Sequence, residues 1–242
     1  MTPAPALPEV RSDLAWFFDI DGTLAEIVER PELVQVRPEM RRVLSDLRER
    51  AGGAVALVSG RPIALVDALF DGERFAVAGQ HGLERRTAAG DVIHYAVRSG
   101  GLDAVRKAMT AMVARHPGLL LEDKGLSLAL HYRRAPQLGG YVHRTMRALA
   151  ELAGSDYHLQ RGKRVVEILP RGSNKGFAVR AFMQEPPFAG RTPAFVGDDV
   201  TDEHAFAIVN ELAGYSVKVG PGPTIADWRL ADVNAVRAWL EG

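Results

Sequence analysis

Short apolar runs that break off in glycine-bearing polar clusters constrain the fold of this chain more than any other feature. Trp16-Phe17-Phe18 leads into Asp19-Ile20-Asp21-Gly22-Thr23, and Ala54 to Val58 leads into Ser59-Gly60-Arg61-Pro62. Phe75 to Ala78 ends in Gly79-Gln80-His81-Gly82, and Pro193 to Val196 ends in Gly197-Asp198-Asp199. Runs of this length without polar alternation read as strands buried on both faces. Helical segments separate them. Pro38 opens one, with Met40, Val43, Leu44 and Leu47 at helical spacing and Gly52-Gly53 as the stop, and Pro62 opens another through Leu69. After Gly172 the pattern resumes, with helices expected from Lys175 to Met183, Asp202 to Leu212 and Asn234 to Leu240, and a strand from Val217 to Val219. This alternation predicts an α/β fold with a doubly wound, Rossmann-like parallel sheet.

The stretch between breaks that rhythm. Leu83 to Thr87 and Val92 to Val97 read as a hairpin, and Ser99-Gly100-Gly101 as a flexible joint. A helix from Leu102 to His116 precedes a hairpin of Leu119 to Glu122 with Leu126 to Tyr132. A second helix, Leu138 to Leu152, precedes a hairpin of Tyr157 to Gln160 with Arg164 to Leu169, turning at Arg161-Gly162. Helix plus hairpin, twice over, predicts an antiparallel α+β insert. The expected division is a split catalytic core of residues 1–98 and 171–242 around an α+β cap domain of residues 99–170.

Composition removes several function classes. Thirty basic and thirty acidic residues in 242 leave no net charge, hence no global footprint for nucleic acid. The absence of cysteine removes disulfides, thiolate nucleophiles and Cys-zinc sites. Apolar runs are strand-sized, far short of the ~20 residues of a membrane span. Met1 to Val10, with three prolines, lacks the pattern of a signal peptide and reads as a frayed tail. The expectation is a cytoplasmic protein with a small-molecule substrate, no nucleic-acid or membrane partner, and a monomer as the default state.

In an open parallel sheet, ligands gather at the carboxyl ends of the strands. Carboxylates converging there repel one another unless a cation sits between them, and an all-oxygen set suits Mg²⁺. Asp19 and Asp21, two apart, leave the same face if the strand persists, so one can attack phosphorus while the other exchanges a proton. Ser59 and Lys175 can hold phosphoryl oxygens. In the insert, alternation places Glu122 with Lys124, Ser127 with His131 and Arg133, and Lys163 with Glu167, on mixed-polarity faces. The plain expectation for such a face is solvation, but side-by-side donors and acceptors also suit a polyhydroxylated sugar.

The ordered set Asp-x-Asp-Gly-Thr, Ser-Gly-Arg, Lys and Gly-Asp-Asp-x-x-Asp-Glu resembles the haloacid dehalogenase superfamily. The resemblance implies Asp19 as nucleophile, Asp21 as general acid and base, and Ser59 and Lys175 on the phosphoryl group. It implies Mg²⁺ held by Asp19, the Asp21 carbonyl and Asp198, with Asp199 and Asp202 in support. With Gly79-Gln80-His81-Gly82-Leu83-Glu84, Glu122-Asp123-Lys124-Gly125-Leu126-Ser127, His131-Tyr132-Arg133 and Val166-Glu167-Ile168, the chain is similar to the trehalose-6-phosphate phosphatase family from about Leu14 to Leu240. That likeness implies a cap closing over the sugar, with Glu122, Lys124, Arg133, Lys163 and Glu167 on its hydroxyls and Arg61 and His81 contributing from the core. The implied activity is Mg²⁺-dependent hydrolysis of trehalose 6-phosphate through an aspartyl-phosphate, a step of trehalose biosynthesis. The alternatives are another sugar-phosphate phosphatase, such as one for sucrose 6-phosphate or mannosyl-3-phosphoglycerate, a phosphotransferase, or a non-catalytic sensor.

Overall fold

A computed structural model describes residues 7–28, 30–94 and 101–242. The chain divides into two compact units, residues 1–94 with 174–242, and residues 95–173. The second unit begins at 95 rather than 99 and ends at 173 rather than 170.

The first unit is built on an eight-stranded sheet. Its strands are β1 (Leu14–Phe18), β2 (Val55–Val58), β3 (Ala76–Gly79), β4 (Glu84–Arg86), β5 (Val92–His94), β10 (Thr192–Gly197), β11 (Tyr215–Val219) and β12 (Trp228–Leu230). Their order across the sheet is β12-β11-β10-β1-β2-β3-β4-β5, parallel from β12 to β3 and antiparallel through β4 and β5. All five residues of β1 are buried, as an unalternating run at the centre of a two-sided sheet requires.

Period-two alternation sends the neighbours in β1 to opposite faces. Phe17 meets Phe182 and Phe188 at centroid distances of 6.0 and 5.4 Å, on the side of helix α5 (Lys175–Phe182). Trp16 meets Trp239 of α7 (Val233–Glu241) at 5.6 Å on the other. Phe195, the register partner of Phe17, meets Phe206 of α6 (Glu203–Glu211) at 5.7 Å. Helices therefore cover both faces. The remaining helices of this unit are α1 (Pro38–Arg50), with Pro38 in its first turn, and α2 (Ile63–Leu69).

The second unit carries a four-stranded antiparallel sheet in the order β6-β7-β9-β8, made of β6 (Leu120–Asp123), β7 (Leu128–His131), β8 (Tyr157–Gly162) and β9 (Val165–Pro170). Leu128, Leu130, Val166 and Ile168 form one apolar face and cluster with Val105 and Met109 of α3 (Asp103–Arg115) and Val142 and Met146 of α4 (Gly139–Ala153). This is a separate core with its own helices.

Two local expectations are revised, and one strand is new. The last hairpin turns at Lys163-Arg164 instead of Arg161-Gly162: Gly162 still pairs with Val165, and Arg164 takes the left-handed backbone at φ +61°. Strand β12 had no expectation, because three residues are too few to show a period. Gly101, the last residue of the expected joint, is closely packed: a Cβ there would lie 2.7 Å from both the Ala153 carbonyl oxygen and the Tyr157 ring. Ser99, Gly100 and the end of the expected strand at 95–97 lie outside the described residues.

Candidate active site

The carboxyl end of the parallel sheet brings together the first unit's acids. Asp19 follows β1, and its amide donates to the Val196 carbonyl of β10 at 2.9 Å, so the ends of the two strands stay in register. Asp198 follows β10. Asp19, Asp198 and Asp202 are all buried, and each offers a carboxylate oxygen within 4.8 Å of the others'.

Lys175, at the first position of α5, holds two of these acids. Its buried ammonium donates to Asp19 Oδ1 at 2.7 Å and to Asp202 Oδ1 at 2.6 Å. Asp202 Oδ2 accepts from the backbone amides of Asp198 and Asp199, both at 2.8 Å. Both oxygens of Asp202 are thereby occupied in fixing Lys175 and the loop that carries Asp198. Asp199 is half-buried and caps the following turn, accepting from the Val200 amide at 2.7 Å. Burial pushes the Asp19 carboxyl well up against the pull of the Lys175 ammonium, and the Asp202 and Asp198 charges add to the rise. For Lys175, burial opposes the charged form, but the facing carboxylates outweigh it and its pKa rises.

Local chain geometry supports a cation beside Asp19 and Asp198. Gly22 sits at φ +88°, and a Cβ on it would lie 2.1 Å from Asp198 Oδ2. Only glycine lets the turn after Asp21 come so close to that carboxylate. The turn draws its hydrogen bonds from the Ile20 carbonyl, which accepts from Leu24 and Ala25 at 2.9 and 3.0 Å. An all-oxygen set of two converging carboxylates with nearby backbone fits a small hard cation.

Asp21 is held differently. Arg61 grips it through two parallel bonds, Nε to Oδ2 and Nη2 to Oδ1, both 2.7 Å. Arg61, expected among the substrate contacts, thus also holds the second aspartate. Ser59 is buried, and its hydroxyl accepts from the Arg61 amide at 3.1 Å. Gln80 and His81 both adopt left-handed backbone, φ +48° and +58°. That strain turns their amides back onto the Ser59-Arg61 loop: Gln80 donates to the Arg61 carbonyl at 3.0 Å and His81 to that of Ser59 at 2.9 Å. His81 is buried there.

Glu122, His131 and Glu167 fall on the sheet face of the second unit opposite its core. Lys124 donates to both oxygens of Glu167 at 3.1 Å, and His131 Nε2 lies 2.7 Å from Glu122 Oε2. Arg133 donates to the Lys163 carbonyl at 3.3 Å, and Lys163 is exposed in the Lys163-Arg164 turn. Burial works to raise the Glu122 carboxyl, but the His131 hydrogen bond and the Lys124 charge together bring it below the usual range.

One contributor escaped the sequence reading. Lys218 is buried on β11, and its ammonium donates to the Asp198 carbonyl. A lysine inside the apolar run Ser216-Val217-Lys218-Val219 was the available signal. Among the described residues, no helix is long and apolar enough to cross a membrane.

Comparison with known proteins identifies the family. The trehalose-phosphatase family model matches residues 17–234. The chain is 46% identical to the trehalose-6-phosphate phosphatase of Escherichia coli, over 99% of this chain and 90% of that protein. Among solved structures it is similar to the C-terminal domain of the C. albicans trehalose-6-phosphate phosphatase, with a TM-score of 0.83 and 24% identity over 93% of this chain and 89% of that one. A haloacid dehalogenase-like hydrolase from Bacteroides thetaiotaomicron gives a TM-score of 0.66 at 14% identity, covering 93% and 97% of the two chains. At these identities the two structures establish the fold alone, that of the haloacid dehalogenase-like hydrolases.

Proposed function

The chain belongs to the trehalose-phosphatase family, and from that premise we propose that it hydrolyses trehalose 6-phosphate to trehalose and phosphate with Mg²⁺ as cofactor. Its substrate is a small sugar phosphate and its reaction is phosphoric monoester hydrolysis. The observation that carries the reading is the buried Asp19–Lys175–Asp202 array beside Asp198.

The Asp19 carboxylate attacks phosphorus and the bond to the sugar oxygen breaks. Asp21, protonated and with one oxygen released from the Arg61 clamp, gives that oxygen its proton, and trehalose leaves with its hydroxyl restored. An aspartyl-phosphate remains on Asp19. Asp21 then takes a proton from water, which attacks the phosphorus and returns Asp19 with release of phosphate. Ser59 and Lys175 supply hydrogen bonds and charge to the phosphoryl oxygens. Asp19, Asp198 and the Asp21 carbonyl would hold Mg²⁺, which supplies charge neutralisation where an anionic nucleophile meets an anionic ester. Asp202 and Asp199 keep that loop and Lys175 in place.

The second unit serves substrate recognition in this proposal, with Glu122, Lys124, Glu167, Arg133 and Lys163 on the sugar hydroxyls and His81 assisting. Phosphate release should be measured from trehalose 6-phosphate, sucrose 6-phosphate, glucose 6-phosphate and mannosyl-3-phosphoglycerate, with Mg²⁺ and with chelator. Trehalose 6-phosphate should lead the panel by a wide margin and chelator should abolish turnover. A different leading substrate overturns the assignment.

A further inference from the structure

The polar face of the second unit's sheet carries more order than a set of sugar contacts requires. Register pairs Glu122 with Ala129, Ala129 with Glu167, and Glu167 with Gln160, so these four form one row across the four strands. Directly paired residues in antiparallel strands share a face. The two glutamates thus flank β7, two inter-strand spacings or roughly 9.6 Å apart, with Ala129 as the residue of β7 between them in the row.

On that same face, two residues either side of Ala129, lie Ser127 and His131. Each leans toward a different glutamate. The Ser127 hydroxyl, fully buried, donates to Glu167 Oε1 at 2.5 Å. His131 Nε2 lies 2.7 Å from Glu122 Oε2, and facing a carboxylate it is the protonated, donating nitrogen. Lys124 completes the Glu167 site from β6's end. A glutamate side chain has three rotatable bonds, and binding a hydroxyl with it costs the entropy of fixing them. Here His131 holds Glu122 Oε2 and Ser127 holds Glu167 Oε1, while Lys124 donates to both Glu167 oxygens, so the plane of each carboxylate is fixed on this face.

We infer that Ser127 and His131 are positioning residues for substrate selectivity: they pre-set Glu167 and Glu122 as oriented acceptors for two separate groups of sugar hydroxyls. The inference rests on the proposed sugar-phosphate substrate. It predicts that β7 governs discrimination between sugar and non-sugar phosphate esters without touching the substrate itself.

The test compares trehalose 6-phosphate with p-nitrophenyl phosphate in the full-length protein, for Ser127→Ala, Ser127→Thr, His131→Leu, His131→Gln, Glu122→Gln and Glu167→Gln. Ser127→Ala and His131→Leu should each lower the ratio of the two kcat/KM values about 10-fold, chiefly through KM for the sugar ester. Ser127→Thr restores the hydroxyl and His131→Gln restores a donor near the Nε2 position, so both should recover most of the ratio. Equal losses on the two esters, or no rescue, would show a merely structural role and overturn the inference. If the two glutamate variants shift the ratio while Ser127→Ala and His131→Leu do not, the inference alone falls. If the glutamate variants leave the ratio unmoved, the sugar-reading role of this face fails and takes the inference with it.

Discussion

Gly22→Ala offers the sharpest check on the acidic centre, because one methyl group tests both backbone and carboxylate placement. Residue 22 sits at φ +88°, where an L side chain costs about 1–2 kcal/mol. The added Cβ would also lie 2.1 Å from Asp198 Oδ2, about 1.3 Å inside the 3.4 Å where ordinary contact begins. Relieving such an overlap in a packed interior costs about 1–3 kcal/mol. The sum of about 2–5 kcal/mol lowers Tm by roughly 4–20 °C in a chain of this size. Gly90→Ala isolates the backbone part, since Gly90 has φ +99° with nothing within 4 Å of its Cβ position. Thermal denaturation of both variants, with and without Mg²⁺, separates the contributions. Gly22→Ala should lose more than Gly90→Ala, and it alone should lose the rise in Tm expected of Mg²⁺ at the proposed site. If the two variants fall equally and both keep the Mg²⁺ response, the close approach of residue 22 to Asp198 has no bearing on the centre.

Three further outcomes follow from the same contacts. Asp19→Asn replaces the proposed nucleophile by its neutral isostere and should cut phosphate release by more than about 10³-fold while circular dichroism and Tm stay close to wild type. Lys175→Met leaves Asp19 and Asp202 buried without their ammonium partner, and urea denaturation should show a loss of about 3–5 kcal/mol. The Glu122 carboxyl lies below its usual range when folded, so its contribution to stability is present above its unfolded value of about 4.3 and disappears as pH falls through the depressed one. The stability difference between wild type and Glu122→Gln, measured by urea denaturation at about pH 6 and about pH 3, should therefore shrink toward acid. A difference that grows toward acid contradicts the His131–Glu122 contact.

The amino-acid order alone determined the α/β architecture and the sheet edge at which the buried acids gather. Trp16-Phe17-Phe18 and Ala54 to Val58 can be stable only as strands covered on both faces, and a strand buried that way delivers its next polar residues to the sheet's carboxyl edge. Asp19, Ser59, His81 and Asp198 were thus placed at one edge by local pattern. The helix-plus-hairpin repeat likewise marked the second unit, because helical and strand periods differ within a dozen residues.

Side-chain pairing was decided by tertiary structure, since it joins residues far apart in sequence. No spacing reveals that Arg61 clamps Asp21 forty positions away, or that both oxygens of Asp202 are taken by Lys175 and the Asp198 loop. The same holds for Ser127 on Glu167 and for Lys218 on the Asp198 carbonyl. Strand β12 and the Lys163-Arg164 turn depend on neighbouring strands for their hydrogen bonds, so three or four residues of local preference cannot specify them. Local pattern sets which way a residue points, but only the assembled sheet sets which donor it meets.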